Sequence, residues 1–570
     1  MKRFLLLFWI TLVFGVFHRS VLSAPLITPD ISDVIRQSQS LMGRQPQLQF
    51  PKTPTTDFNF QIQRTEKTAV KKAADELEFL ISKVEIIGSS YFPDAQVNAV
   101  FEKYIGKLVT LSDLNEGAEL LDEKYRKAGF FLSKVFIPPQ KISNGILQVR
   151  VVEGFISKVY VDGGSKEVQQ TVLDLMNSLV DVKPLNLAAV ERKILVLNNF
   201  PGIAVNTILR QGAELGSSEM VVNIYEIPNS YTFSINNNAS KQLGPYTATL
   251  SATVNRLLAR DNQVTLSLSS AVDLQKYKTM TIKYAEPIGY SGLVASLSYT
   301  RAKANPGASY EELDIESQSQ VISPRLSYPL IKTRSNSLSL DSGLNFTRSA
   351  TTIAGAGYTF DKMMNTDLSM TFINTSFWNG LTLINTSVTK GLPGRNTLDS
   401  DASSPSVTGF NPNFSKVNFL LLRSQTISQT WSAQFGVNGQ MTKDTLLSGD
   451  TISFGGATVG RGFDNSAIYG DNGLGSYLEI RNDLPITSPW LTKPLQLFAF
   501  VDSGTVRNND NTVSGVSNYS KSIFSKGFGI RTTISNNTFL ELQYARATSL
   551  ASDTDQRQNP RILFLGTVNF

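Results

Sequence analysis

The chain has 570 residues, no cysteine and a single histidine, with a formal net charge of +6. Without cysteine there are no disulfides, thiolate metal sites or cysteine nucleophiles, and His18 falls in a segment read below as cleaved, so His-based triads and His-ligated zinc are excluded as well. That cleavage removes Lys2, Arg3 and Arg19 and lowers the charge to +3, a balance that gives nucleic-acid binding no support.

Residues 1–23 read as a secretory signal peptide. Lys2 and Arg3 form a basic start, residues 4–17 an apolar run, and Val21, Leu22 and Ser23 offer a small-residue cleavage site before Ala24. Left uncut, the same run would be an N-terminal anchor. No later stretch approaches the ~18 consecutive apolar residues of a membrane-spanning helix. Export without cysteine fits a bacterial envelope protein.

Residues 24–80 form a preamble. Ile31, Val34, Ile35 and Leu41 mark a short amphipathic helix over 31–42, with Asp30 as its N-cap. A polar stretch with Pro46, Pro51 and Pro54 follows. It tethers a movable helix or belongs to an unstructured N-terminus.

Residues 81–153 and 154–229 repeat one β-α-α-β-β pattern. The first copy predicts strands at 83–87, 132–137 and 146–152 and helices at 94–104 and 111–128. The second predicts strands at 156–161, 205–209 and 220–225 and helices at 166–180 and 187–198. Such small α+β modules leave sheet edges able to accept an extended chain, and two ordinary structural domains would look the same.

Charged residues make up about 22% of 24–230 and about 15% of 231–570, where Ser, Thr, Asn and Gly take over. Period-two alternation then runs to the end. Leu250, Ala252 and Val254 interleave with Ser251 and Thr253, and Leu478 and Ile480 with Glu479 and Arg481. Sixteen such segments begin near residues 231, 246, 263, 277, 293, 318, 336, 365, 381, 416, 431, 475, 495, 523, 538 and 561. One apolar and one polar face, repeated an even number of times, predict an all-β transmembrane barrel of sixteen antiparallel strands over 230–570. A soluble propeller or solenoid is the alternative, and the chain end argues against it. Ile562, Phe564, Val568 and Phe570 share one face of a final strand that closes on an aromatic residue.

A long connection, 443–474, separates the eleventh and twelfth segments. It carries Gly460, Arg461, Gly462 and Phe463, a lone guanidinium among glycines that let the backbone approach closely. Two segments later come Phe500, Asp502 and Gly504. Leu495, Leu497 and Ala499 face lipid there, so Asp502 points into the lumen and is placed to pair bidentately with Arg461.

The Arg-Gly-Phe loop, the Phe-x-Asp-x-Gly strand, the tandem modules and the terminal Phe570 together resemble the TpsB transporters. These are the outer-membrane partners of two-partner secretion and include the haemolysin secretion/activation proteins. Pro138, Pro139 and Gln140, and the run 149–154, resemble the end of that family's first POTRA module. One departure is Gly460 directly before Arg461, with Val459 one place earlier. The resemblance implies two periplasmic POTRA domains, an N-terminal plug helix and a loop folded into the lumen. It also implies a Phe570 signal read by the barrel-assembly machinery for insertion into outer-membrane lipid. The implied partner is one large exoprotein with an N-terminal secretion domain. No cofactor, metal or catalytic residue is expected, and no G-x-x-x-x-G-K-[ST] phosphate loop appears. A barrel-assembly factor is the alternative function; a membrane-embedded hydrolase lacks a histidine base.

Overall fold

The computed structural model describes residues 78–258, 261–393, 404–486, 491, 493–509, 520–534, 537–548 and 560–570. The signal peptide and the expected helix over 31–42 lie outside the described residues.

The first α/β unit opens with β1 (Glu78–Leu80), β2 (Lys83–Ile87), the helix Asp94–Asn98 and β3 (Leu108–Thr110). The helix Leu111–Lys127, β4 (Lys134–Phe136) and β5 (Ile146–Val152) complete it. Strand order is β2-β5-β4, with β2 parallel and β4 antiparallel to the central β5. Alternate β5 residues Leu147, Val149 and Val151 are buried, as are Leu114, Ala118, Leu121 and Tyr125, which recur at helical spacing along one face of the long helix. A capping box starts that helix: Asp113 N donates to Thr110 Oγ1, and Thr110 N to Asp113 Oδ2. The predicted helix over 94–104 is broken in two. After Asn98 the chain makes a separate 3-10 turn, Glu102–Tyr104, because Phe101 and Tyr104, three apart, both turn inward and pack where Gly117 leaves room. Strand β4 ends short of Pro138 and Pro139. Beyond them the Gln140 side chain replaces the missing ladder, donating to Gln148 O at 2.7 Å and accepting from Gln148 N at 2.8 Å.

The second unit repeats the plan with β6 (Phe155–Asp162), helices Lys166–Met176 and Leu187–Leu197, β7 (Ile203–Gln211) and β8 (Ser217–Glu226), in the order β6-β8-β7. No linker separates the two. Gly154 packs so tightly on Leu132 that a Cβ would lie 2.5 Å from its carbonyl carbon, and Leu187 N donates to Gly129 O at 2.8 Å.

The barrel begins three residues after β8. Its strands are β9 (Ser230–Asn236), β10 (Thr247–Asn255), β11 (Gln263–Ala271), β12 (Tyr277–Ile288), β13 (Leu293–Ala304), β14 (Ile315–Lys332), β15 (Asn336–Ile353), β16 (Ala356–Asn374), β17 (Gly380–Gly391), β18 (Ser415–Thr426) and β19 (Trp431–Thr442). A short hairpin, β20 (Ile452–Phe454) and β21 (Ile468–Gly470), interrupts it. The barrel resumes with β22 (Asn472–Leu484), β23 (Leu495–Arg507), β24 (Ser520–Ile534), β25 (Thr538–Ala547) and β26 (Arg561–Asn569). Sixteen strands close into one antiparallel cylinder, as expected, with β26 paired to β9. Phe570 N extends that seam by donating to Tyr231 O at 2.8 Å. Leu250, Leu268, Ile282 and Leu297 stand exposed on the outside, the pattern of a lipid-facing band.

The eighth strand starts at Ala356, not near 365, and β14, β22 and β24 each begin three residues early. All four extensions lie at the outer ends. The lipid band is only about 25 Å tall, so a strand continuing into water keeps its ladder but loses the alternation that marks it in sequence.

The second α/β unit is fastened to the periplasmic turns. Arg192 donates to Pro329 O at 2.9 Å and Leu330 O at 3.2 Å, Glu191 pairs with Arg334 at 3.0 Å, and Tyr290 donates to Asp174 at 2.8 Å.

Candidate functional site: the loop locked in the lumen

The connection after β19 runs from Lys443 to Asp471, three residues shorter than predicted, and folds inward through the β20–β21 hairpin. Its anchor is Phe454, 2% exposed. The ring lies on a floor of wall glycines: a Cβ on Gly475 would sit 2.3 Å from it, and one on Gly504 2.8 Å. That gives the Phe-x-Asp-x-Gly motif a physical meaning, since Gly504 leaves room for the loop. The same device recurs beside it, with Phe500 over Gly527 and Phe498 over Gly529. Around Phe454, residues Val459, Phe463, Ile468, Tyr477, Val506 and Ile523 form an apolar core inside the lumen.

Beyond Phe454 the tip turns sharply. Gly455, Gly456 and Gly460 all have positive φ, and Gly455 N donates to Val459 O at 2.9 Å. Gly460, the departure noted in the sequence, has a φ of 82° that would strain a valine. Its amide donates to Asp502 Oδ1 at 2.6 Å.

Arg461 is 5% exposed, and its partner differs from the expected one. Its Nη1 donates to Glu479 Oε2 at 2.8 Å, while its Nε stays 3.6 Å from Asp502 Oδ2, an ion pair without a hydrogen bond. The predicted bidentate Arg461–Asp502 pair is therefore not formed. Asp502 Oδ1 is already taken by the Gly460 amide and the Ser525 hydroxyl, which turns the carboxylate away from a two-pronged approach. The guanidinium instead lies over the Phe500 ring, 3.9 Å from its centre.

Glu479 gathers two more arginines: Arg481 Nε donates to it at 2.7 Å, and Arg531 donates from β24. Arg531 also reaches Glu541 at 3.5 Å and stacks on Phe498. Three guanidinium groups thus face three carboxylates, Glu479, Asp502 and Glu541. From β26, Arg561 donates to Phe463 O and lies 3.5 Å from Asp464. Gly462 packs on the β25 backbone, where a Cβ would come within 2.5 Å of Ala547 N.

All the loop and strand residues singled out in the sequence therefore meet in one cluster. Phe570 does not join it; it sits 72% exposed at the periplasmic seam. Sequence reading missed Glu479, Arg481, Arg531 and Arg561. Charged residues on the lumen face of a strand were the available signal, and Glu479 and Arg481 show it plainly.

A closed sixteen-strand barrel, greasy outside, with α/β units at its periplasmic mouth and a loop fastened in its lumen, defines an outer-membrane transporter with POTRA-type units. The chain belongs to the haemolysin secretion/activation protein family ShlB/FhaC/HecB: that family's model matches residues 216–532, and the ShlB-type POTRA model matches 79–154. Its members are outer-membrane transporters of two-partner secretion, whose partner is a large exoprotein. The chain is 25% identical over 474 residues to the heme/hemopexin transporter protein HuxB of Haemophilus influenzae, covering 81% of each. It is 22% identical over 376 residues to the hemolysin transporter protein HpmB of Proteus mirabilis, covering 64% of this chain and 65% of that one. Among solved structures, CdiB from Escherichia coli has the same fold, with a TM-score of 0.73 at 17% identity over 96% of this chain and all of that one.

Proposed function

We propose that this transporter carries one large polypeptide, marked by an N-terminal secretion domain, from the periplasm to the cell surface. Capture falls to the α/β units, which we delimit as 81–153 and 154–229 ahead of a barrel over 230–570. Each unit is a three-stranded sheet whose outer strands pair on one side, and an extended chain adds to such an edge through main-chain hydrogen bonds. The Arg461–Glu479–Asp502 cluster holds the loop in one place until the chain passes, and the chain acts as a conduit without a catalytic centre. Phe570, exposed beside Tyr231 at the seam, suits recognition by the assembly machinery during insertion into outer-membrane lipid.

The observation that carries this reading is the fastening of the loop. Its tip is bound to β22, β23 and β26 at once, through hydrogen bonds and ion pairs and no covalent link. The test compares proteins at the surface and in the medium of cells with and without this chain, and with residues 83–228 deleted. One large polypeptide missing in both deletions is the expected result. A fall across many outer-membrane proteins would instead favour a barrel-assembly role.

A further inference from the structure

The periplasmic mouth of the lumen holds a cavity of about 340 Å³. One wall is Phe200 and Pro201, just after the helix Leu187–Leu197, with Ile227 from the link to β9. The other is Thr253, Gln263 and Pro287, on the lumen faces of β10, β11 and β12. The two walls are tied together. Ile227 N donates to Gly202 O at 2.9 Å, Arg256 pairs with Glu226 at 2.6 Å, and a Cβ on Gly202 would lie 2.8 Å from Asn255. The joint builds this space; it is not left over from loose packing.

Directly above, the lumen faces of β10 and β11 carry hydroxyls paired rung by rung. Thr253 meets Thr265 at 3.3 Å, Ser251 meets Ser267 at 3.0 Å, and Thr249 meets Ser269 at 2.9 Å. The ladder is neutral, whereas the guanidinium–carboxylate cluster occupies β22–β25.

We propose that the cavity and the hydroxyl ladder form an entry track for an extended segment of the exported polypeptide, one apolar side chain seated in the cavity and the following backbone lying along the rungs. The inference rests on the transport reading above. Three features select this occupant. A chain handed from the second α/β unit to the lumen crosses this threshold. Proline, phenylalanine and isoleucine beside a few amides suit an apolar side chain on a polar backbone. Paired hydroxyls hydrogen-bond passing amides without the deep wells that charges would create, so a chain of any sequence is held and released.

The test has two stages. Secreted proteins compared with and without this chain first identify the exported polypeptide; if none is lost, the transport reading fails and the track with it. Photoreactive p-benzoylphenylalanine is then placed at Thr265 or Ser267 in the full chain, in cells exporting that polypeptide, with lipid-facing Leu250 and Leu268 as controls. The track predicts adducts to the exported polypeptide at Thr265 and Ser267 and none at the controls. Continued export without those adducts, or adducts solely to residues 24–77 of the same chain, would overturn it. Thr253→Trp fills the cavity and should slow export several-fold while the barrel keeps its normal heat-dependent gel mobility; undiminished export also overturns the proposal.

Discussion

Arg461 and Glu479 meet at 2.8 Å with 6% and 4% of their side chains exposed, so the guanidinium makes its charged hydrogen bond to β22 and not to Asp502 on β23. Glu479 answers three arginines, whereas Asp502 is also held by the Gly460 amide. Breaking a buried pair from one side costs about 3–5 kcal/mol. Glu479→Gln should therefore lower the unfolding temperature of the barrel more than Asp502→Asn does, read from heat-dependent mobility on gels. The opposite ranking would refute the placement of Glu479 at the centre.

Arg461 serves three partners with one planar group: Glu479, Asp502 and the Phe500 ring. A lysine carries a point charge and cannot span them. Arg461→Ala should abolish export while the barrel still inserts, and Arg461→Lys should fail to restore it. Export by the lysine variant at the normal level would show that charge alone suffices.

The glycine floor makes a reciprocal prediction. Gly475→Ala places a methyl group 2.3 Å from the Phe454 ring and should expel the hairpin, exposing residues 452–470 to protease added outside the cell. Phe454→Ala in the same chain removes the clash. The double variant should then resist protease better than the single glycine variant, even though Phe454→Ala alone forfeits about 3–5 kcal/mol of packing.

In the first α/β unit, burial pushes the Tyr125 hydroxyl up to about 12, while the bond from Ser89 lowers it and that to Glu153 raises it. The folded state thus holds this proton more tightly than the unfolded chain, whose tyrosines titrate near 10. The resulting stability is complete below pH ~10 and is lost as the pH climbs from there through the folded value. Alkaline unfolding of this unit, followed by tyrosinate absorbance and circular dichroism, should be shallower in Tyr125→Phe; an unchanged profile would remove Tyr125 from the account.

Much of this architecture was legible. Lipid on one side and water on the other write period two directly into the chain, and eight strands, those opening at Gln263, Tyr277, Leu293, Asn336, Trp431, Leu495, Thr538 and Arg561, begin at the very residue expected. The failures share a cause. Ala356 and its neighbours lie beyond the lipid, where nothing enforces alternation, and Phe101 and Tyr104 follow the three-residue period of a 3-10 turn and not that of an α-helix. At the site, Arg461 and Asp502 were readable because glycines frame them. For Glu479 the lumen-facing charge was visible but its partner was not, because that depends on strand register: it stands across from Phe500, and Tyr477 across from Asp502.

The cylinder is not held with equal strength around its circumference. Strands β15 and β16 share eighteen register pairs, whereas β26 and β9 share five before Phe570 adds its backbone bonds. Stiffness in a sheet grows with the number of rungs, so the wall behaves as a hoop with one compliant arc. Radial stress from anything wide in transit concentrates there, on the arc that begins next to the strand fed by the second α/β unit and ends at the last residue of the chain.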